Sequence, residues 1–276
     1  MGRIFILYTI VASIFTIGNG EKCEGIHING KLYNKEILAK NIDRPYQLCY
    51  DKHRNRVYFS YNVGKDEEDR FNIAYIEKGQ PEHKIKENIE DGFAIAIDNK
   101  NQKMYFGGSL GIYEESMKEG NETKKIIEGF NIWDMFFKEK LYFISYPQQR
   151  LYKCEHEKSE LKAVRQKHIH EKIFQHAIDG DGDSYITNKT GLYMIKNGTT
   201  DRILLKGSKN FRCIEINNEG VAFFCGQHGI YIADKEHYTL EKIAEIKNIF
   251  GLTFDDGNNI IFSTPHEIVK VLPENC

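Results

Sequence analysis

The chain has 276 residues, 41% of them hydrophobic, and a formal net charge of −2 with lysine and arginine scattered along its length. That size and composition support a full core and exclude a disordered chain, and the charge pattern offers no footprint for nucleic acid or an anionic membrane surface. Abundant tyrosine, phenylalanine and glycine beside only five prolines suit many short aromatic strands joined by tight turns.

In chain order, the first feature is a leader. Arg3 precedes an apolar run from Ile4 to Ile17, and Gly18-Asn19-Gly20 puts small residues where a signal peptidase reads. Residues 1–20 are therefore expected to be a secretory signal peptide, and residues 21–276 one secreted, extracellular domain. The apolar run is too short, and its exit too polar, for a comfortable membrane span. Asn121-Glu122-Thr123, Asn188-Lys189-Thr190 and Asn197-Gly198-Thr199 are N-glycosylation acceptors in turn-like contexts. All six cysteines lie beyond Gly20, as an oxidising compartment allows, and none form a Cys-x-x-Cys pair.

After the leader the sequence repeats. Tyr46–Asp51, Phe93–Asp98, Trp133–Lys138, Phe174–Asp179, Arg212–Asn217 and Phe250–Asp255 are short apolar strands that each end on a polar residue. These closing residues recur at separations of 47, 40, 41, 38 and 38 positions, long enough for four strands. A second strand follows each turn (Val57–Ser60, Met104–Gly107, Leu141–Ser145, Ser184–Thr187, Val221–Phe224, Ile260–Ser263), and in the middle units a third opens with phrases such as Gly111-Ile112-Tyr113 and Gly229-Ile230-Tyr231. Six units of four strands predict an all-β, six-bladed β-propeller. The last unit stops after a third strand near Ile268–Leu272, while Gly25–Leu38 has no unit of its own. The N-terminal segment is expected to complete the last blade and remove two open edges, bringing Cys23 and Cys276 together as a disulfide. Cys213 and Cys225 flank a hairpin and form a second expected bond, while Cys49 and Cys154 read as free core thiols.

The stretch Asp179-Gly180-Asp181-Gly182-Asp183 imitates the start of a calcium loop. Its sixth and twelfth positions, however, are Ser184 and Thr190, not the required glycine and glutamate. It occupies the turn that Asn99–Gln102 and Asp256–Asn259 fill elsewhere, where Asp, Asn and Gly bond their own backbone. His168-Ile169-His170, with His176 nearby, raises a metal reading. Alternate residues facing solvent account for the pair, and His176 sits inside a strand as a hydrogen-bonded core histidine. No nucleophile elbow, P-loop or dinucleotide fingerprint is present. The Lys65–Arg70 charge run reads as a solvated loop.

The segments Asp43-Arg44-Pro45-Tyr46-Gln47-Leu48, Tyr58-Phe59-Ser60-Tyr61 and Asn131-Ile132-Trp133-Asp134, with Cys23-Glu24-Gly25 and Lys31-Leu32-Tyr33, resemble the ommochrome-binding proteins of insects. That resemblance implies a non-catalytic haemolymph carrier of a tryptophan-derived aromatic pigment. The protein is expected to be a monomer and to need no cofactor. One column of the repeat supplies candidate ligand contacts. Five positions before each closing residue stand Tyr46, Phe93, Trp133, Phe174, Arg212 and Phe250, at the start of each innermost strand and hence at one mouth of the channel. Gln47, Asp134 and Gln175, one position further along, are expected to meet the polar edges of the ligand. Packing between blades is the competing account of the aromatic column. Two other functional classes stay open, a metal-dependent lactonase-like hydrolase, for which Asp134 and Glu215 are the inner-strand carboxylates, and a protein-interaction propeller.

Overall fold

The computed structural model describes residues 25–65, 68–80, 83–118, 122–158, 160–208 and 210–273. The expected signal peptide, Asn121 and the Cys23–Cys276 pair lie outside them. Among the described residues every regular element is a strand.

A hairpin comes first, β1 (Ile26–Ile28) and β2 (Lys31–Lys40). Four four-stranded antiparallel sheets follow. The first is β3 (Tyr46–Asp51), β4 (Arg56–Asn62), β5 (Phe71–Glu77) and β6 (Lys84–Ile85). The second is β7 (Ala94–Asp98), β8 (Lys103–Gly108), β9 (Gly111–Ser116) and β10 (Thr123–Glu128). The third is β11 (Asn131–Lys138), β12 (Lys140–Tyr146), β13 (Leu151–Glu157) and β14 (Glu160–Arg165). The fourth is β15 (Gln175–Ile178), β16 (Ser184–Asn188), β17 (Gly191–Ile195) and β18 (Arg202–Leu204). The remaining strands are β19 (Phe211–Ile216), β20 (Ala222–Gly226), β21 (Gly229–Asp234), β22 (Thr239–Ala244), β23 (Gly251–Phe254), β24 (Ile260–Ser263) and β25 (Glu267–Pro273). With β1 and β2 they form a nine-stranded sheet in the order β19-β20-β21-β22-β1-β2-β25-β24-β23. The architecture is all-β and propeller-like.

The nine-stranded sheet exists because the N-terminal segment is a hairpin rather than the single strand anticipated. Asn29 and Gly30 both take positive φ, 48° and 73°, the conformation a two-residue hairpin turn needs. β2 pairs with β25 from Tyr33↔Pro273 to Lys40↔Glu267. β1 folds back over the neighbouring unit, touching β22 at Ile28↔Ala244, with the Asn29 N–H donating to the Ile243 carbonyl at 2.8 Å. Ile26 and Ile28 are buried there and His27 is exposed, the alternation of a half-covered strand.

Six apolar clusters form the core, and each joins strands of neighbouring units. Tyr58, Met104 and Phe106 join the first and second units, Ala94, Ile132 and Phe143 the second and third, and Ile144, Ile173 and Ile186 the third and fourth. Tyr185, Leu192 and Phe224 join the fourth to the strands from β19, whose Cys225 and Ile230 meet Leu252 and Phe262 beyond. Leu48, Phe59, Ile261 and Ile268 then return to the first unit. Gly111 and Gly229 open third strands at φ 132° and 156°, and a Cβ there would lie 2.0 Å from the Ile127 and Ala244 carbonyl oxygens of the fourth strands. Only glycine lets those backbones approach so closely.

One device closes the inner hairpins. Asp51, Asp98, Asp179 and Asp255 are buried at the ends of the inner strands or one residue beyond. One carboxylate oxygen of each accepts backbone N–H groups of the turn: His53 and Arg54 on Asp51, Asn101 on Asp98, Asp181 and Asp183 on Asp179, Gly257 and Asn259 on Asp255. Asn217 does the same for Glu219 and Val221. The second oxygen finds a donor: Arg54 at 2.6 Å on Asp51, Asn101 at 2.6 Å on Asp98, Lys270 at 2.6 Å on Asp255. The exception is Lys138, which reaches the Asp179 carbonyl of the next unit.

The acidic run at Asp179–Asp183 is this same turn with a cation supplied by the protein. The Lys235 ammonium stands 2.6, 2.8 and 2.7 Å from carboxylate oxygens of Asp179, Asp181 and Asp183, and the Tyr185 hydroxyl donates to Asp179 at 2.9 Å. Burial pushes the Asp183 carboxyl up, but Lys235 and the Asn197 N–H outweigh it and hold the group below its ordinary range. Cys213 and Cys225 are directly paired across β19 and β20 and form a disulfide. Cys49 and Cys154 are free and buried. Burial pushes the Cys154 thiol up to about 12, leaving negligible thiolate at neutral pH. His168 and His170 are exposed on either side of buried Ile169, their carbonyls held by Arg202 and Arg150.

Lys235→Met is expected to lower the melting temperature by several degrees at pH 7, because three close carboxylates lose their counter-charge. Lys235 holds the Asp183 carboxyl below its ordinary range, so the part of the deficit that comes from Asp183 should persist at pH 5 and shrink only as pH falls below the usual aspartate range, as thermal melts across pH will show. Calorimetric titration of the wild-type chain should find no submicromolar calcium binding.

Candidate functional site

Every member of the expected ligand set lines one cavity of about 410 Å³ at a mouth of the channel. Tyr46, Phe93, Trp133, Phe174 and Phe250 are half-buried, and Arg212 is exposed. The rings do both things the sequence left open: they pack on one another and they line the opening. Tyr46 packs against Phe250 at a centroid distance of 4.9 Å and against Phe93 at 5.5 Å. Phe93 stacks on Trp133 at 5.3 Å, and Trp133 stacks on Tyr146 at 5.7 Å. The Arg212 guanidinium lies 4.2 Å over the Phe250 ring, extending the wall with a cation. The Trp133 indole N–H donates to the Phe174 carbonyl at 3.0 Å, fixing the indole's edge.

How these side chains are aimed alternates round the ring. In the even-numbered units the column residue sits just ahead of its strand, and its N–H is paired: Phe93 to Gly107, Phe174 to Thr187 and Phe250 to Ser263. In the odd-numbered units the inner strand carries a bulge. Pairing jumps from Ile132↔Ser145 to Asp134↔Ile144, leaving Trp133 as the extra residue, and from Phe211↔Gly226 to Cys213↔Cys225, leaving Arg212. In β3 it jumps from Tyr46↔Ser60 to Cys49↔Tyr58, and Gln47 takes φ 48°, rare for a side-chain-bearing residue within a strand. A bulge bends its strand and re-aims the extra side chain, here at the mouth.

Two of the expected polar contacts satisfy each other. Gln47 Nε2 donates to Asp134 Oδ1 at 3.0 Å, and the His176 backbone N–H approaches Asp134 Oδ2 at 3.3 Å. Gln175 has its carbonyl oxygen bonded to the Thr187 hydroxyl, so its amide N–H₂ is what it can offer a ligand. Burial pushes the Asp134 carboxyl up to about 7, with Gln47 and the backbone N–H groups of His176 and Met135 opposing. Glu215 is raised well above its ordinary range, first by burial and then by the charge of Asp134, with Thr253 opposing. Burial drives the His176 imidazole down to about 3, so it is neutral. Its Nε2 meets the Ser184 hydroxyl at 3.0 Å, the hydrogen-bonded core histidine expected.

Sequence reasoning missed Phe71, Tyr146, Phe211 and the acidic pair Asp69 and Asp91, all lining the cavity. Phe71 contacts Phe93 at 4.7 Å and Tyr46 at 5.9 Å. Tyr146 ends the second strand opposite Asn131, and Phe71 begins a third strand opposite Asn62. Antiparallel pairing brings such ends to the same mouth as the column. Reading second-strand ends and third-strand starts as further columns would have found both.

Among the described residues, the grouping of His, Cys, Asp or Glu close enough to hold a metal is Asp179, Asp181 and Asp183, which Lys235 occupies. Asp134 and Glu215, the inner-strand carboxylates, belong to no such grouping among the described residues.

Among solved structures, a gluconolactonase from Xanthomonas campestris is similar to this chain with a TM-score of 0.68 at 10% identity, covering 91% of this chain and 96% of that one. The WD40 β-propeller domain of Doa1 gives 0.58 at 13% identity, covering 91% and 98%. These likenesses show an all-β, propeller-like fold. No protein-family model matches. The ommochrome-binding protein of Manduca sexta is similar in sequence, 25% identical over 263 residues that cover 90% of each chain.

Because Asp134 keeps a proton in the folded state that the unfolded chain gives up, its contribution to stability is complete below about pH 4 and is lost as pH rises toward 7. Neutral His176 acts with the opposite sign over part of this range, so the test is a difference. Urea midpoints should show Asp134→Asn gaining on the wild type between pH 5 and pH 7, by up to roughly 1.4 kcal/mol per pH unit.

Proposed function

We propose that the protein is a secreted, non-catalytic and monomeric carrier of a flat, fused-ring, tryptophan-derived pigment of the ommochrome class, held in the aromatic mouth. The single observation behind this reading is the wall that runs Arg212–Phe250–Tyr46–Phe93–Trp133–Tyr146 around one cavity. The sequence relative of that name supports it, as does a cavity within the range of small-molecule sites. Ring faces stack on extended π-systems for about 0.5–1.5 kcal/mol per well-placed pair. Arg212 meets a carboxylate with a rigid fork that lysine lacks. The domain is residues 21–276, and the propeller has six blades when the nine-stranded sheet is divided at β1. The Cys213–Cys225 disulfide accords with an extracellular setting.

Titrating an ommochrome into the protein should quench Trp133, the only tryptophan in the chain. Arg212→Ala should weaken carboxylate-bearing pigments roughly tenfold to a hundredfold and their esters far less, while Phe174→Ala should weaken both. Intact binding in the arginine variant with indifferent tryptophan fluorescence would place the site elsewhere. Calcium-dependent lactone hydrolysis would favour the lactonase reading, and retention of an unpigmented partner protein from native fluid would favour the interaction module.

A further inference from the structure

The aromatic mouth has a floor of different chemistry. Gln47, Leu48, Asp134, Ile214 and Glu215 line both this cavity and a second one of about 370 Å³, which opens among the capped turns. They form the waist of the channel. The Gln47–Asp134 hydrogen bond crosses it from the first inner strand to the third, and Glu215 of the fifth lies near enough to feel the charge of Asp134.

Every inner strand packed around this floor bears on its charge. The first adds the Cys49 thiol, which burial raises well above its ordinary value, and the fourth adds the neutral imidazole of His176. The sixth adds the uncharged Thr253 hydroxyl, and the second presents apolar Ile95 and Ala96 to the lower cavity. The described cations of these strands stand at either side of the waist, Lys138 of the third lining the lower cavity beside Asp179 and Arg212 of the fifth lining the upper. At the rim stand Arg212 over Phe250, Asp69 paired with Arg44 at 2.9 Å, and Asp91 accepting the Phe71 N–H at 2.8 Å. Burial favours the protonated form of both floor carboxyls, and a protonated carboxyl donates a hydrogen bond where a carboxylate only accepts.

We infer that the mouth takes its ligand in one polarity, with an anionic group at Arg212 on the rim and a neutral acceptor conjugated to the flat ring system, a carbonyl oxygen or ring nitrogen, against the carboxyl floor of Asp134 and Glu215. The inference rests on the carrier reading. A ligand lacking the inner acceptor forgoes the hydrogen bond that the floor can give, and a site built to hydrogen-bond its ligand discriminates against such an analogue.

Two probes of similar flat area and one carboxylate each test it by Trp133 fluorescence on the full chain. The first is 4-oxo-1,4-dihydroquinoline-2-carboxylate, whose ring carbonyl and carboxylate sit on ring carbons separated by one CH, and the second is naphthalene-2-carboxylate, which has no such acceptor. The oxo acid should bind about tenfold tighter at pH 6. Its advantage should shrink by pH 9 as Asp134 ionises, and Asp134→Asn should flatten that dependence. Equal affinities, or an advantage indifferent to pH in the wild type, would overturn the polarity and leave the carrier reading standing. If neither probe nor an ommochrome quenches Trp133, the carrier reading falls and the inference falls with it.

Discussion

A buried carboxylate that accepts the backbone N–H groups of the turn following it holds this structure in register. At Asp51, Asp98, Asp179 and Asp255, and with an amide at Asn217, the same bond fixes where an inner strand ends and where its partner begins. An unpaired buried carboxylate is costly, so each of the four acids also binds a donor through its other oxygen. Those donors come from several places: within the turn at Asn101, from the neighbouring unit at Lys235, and from the far strand of the same unit at Lys270. Turn chemistry thereby couples adjacent hairpins.

Fixing one end of each inner strand fixes the other. Five positions back, the chain emerges at the opposite mouth, so a polar requirement at one face sets out an aromatic ring at the other. The two faces can then differ in chemistry without differing in scaffold. Bulges in alternate units add a second level of control, since the column position is a strand start in four units and the extra residue of a bulge at Trp133 and Arg212. The order of side chains round the mouth can therefore be varied without touching the turns that hold the units in place.

Features with a fixed sequence offset were legible. The closing residues, the aromatic column, the glycine-led third strands and the Cys213–Cys225 pairing all follow from the repeat. What stayed hidden depends on register or on distant contacts. Nothing local marks Trp133 or Arg212 as a bulge, because either could continue the alternation of its strand. Phe71 and Tyr146 reach the mouth from strands outside the column, and the insertion of Lys235 among three aspartates joins residues of different units. The elevated affinity of Asp134 and Glu215 for protons arises from enclosure by several strands, which neither residue's neighbours in sequence reveal.

The pairing of β2 with β25 also imposes an order on biosynthesis. A nascent chain presents Lys31–Lys40 almost at once, but its partner Glu267–Pro273 is translated roughly 230 residues later, and pairing at such a separation is slow to find. Until then the first segment is an unmatched ribbon and the last unit lacks its rim. The growing polypeptide can lay down successive meanders, yet β2 finds its partner only once Glu267–Pro273 has been made, so products truncated before it would carry open edges suited to wrong partners.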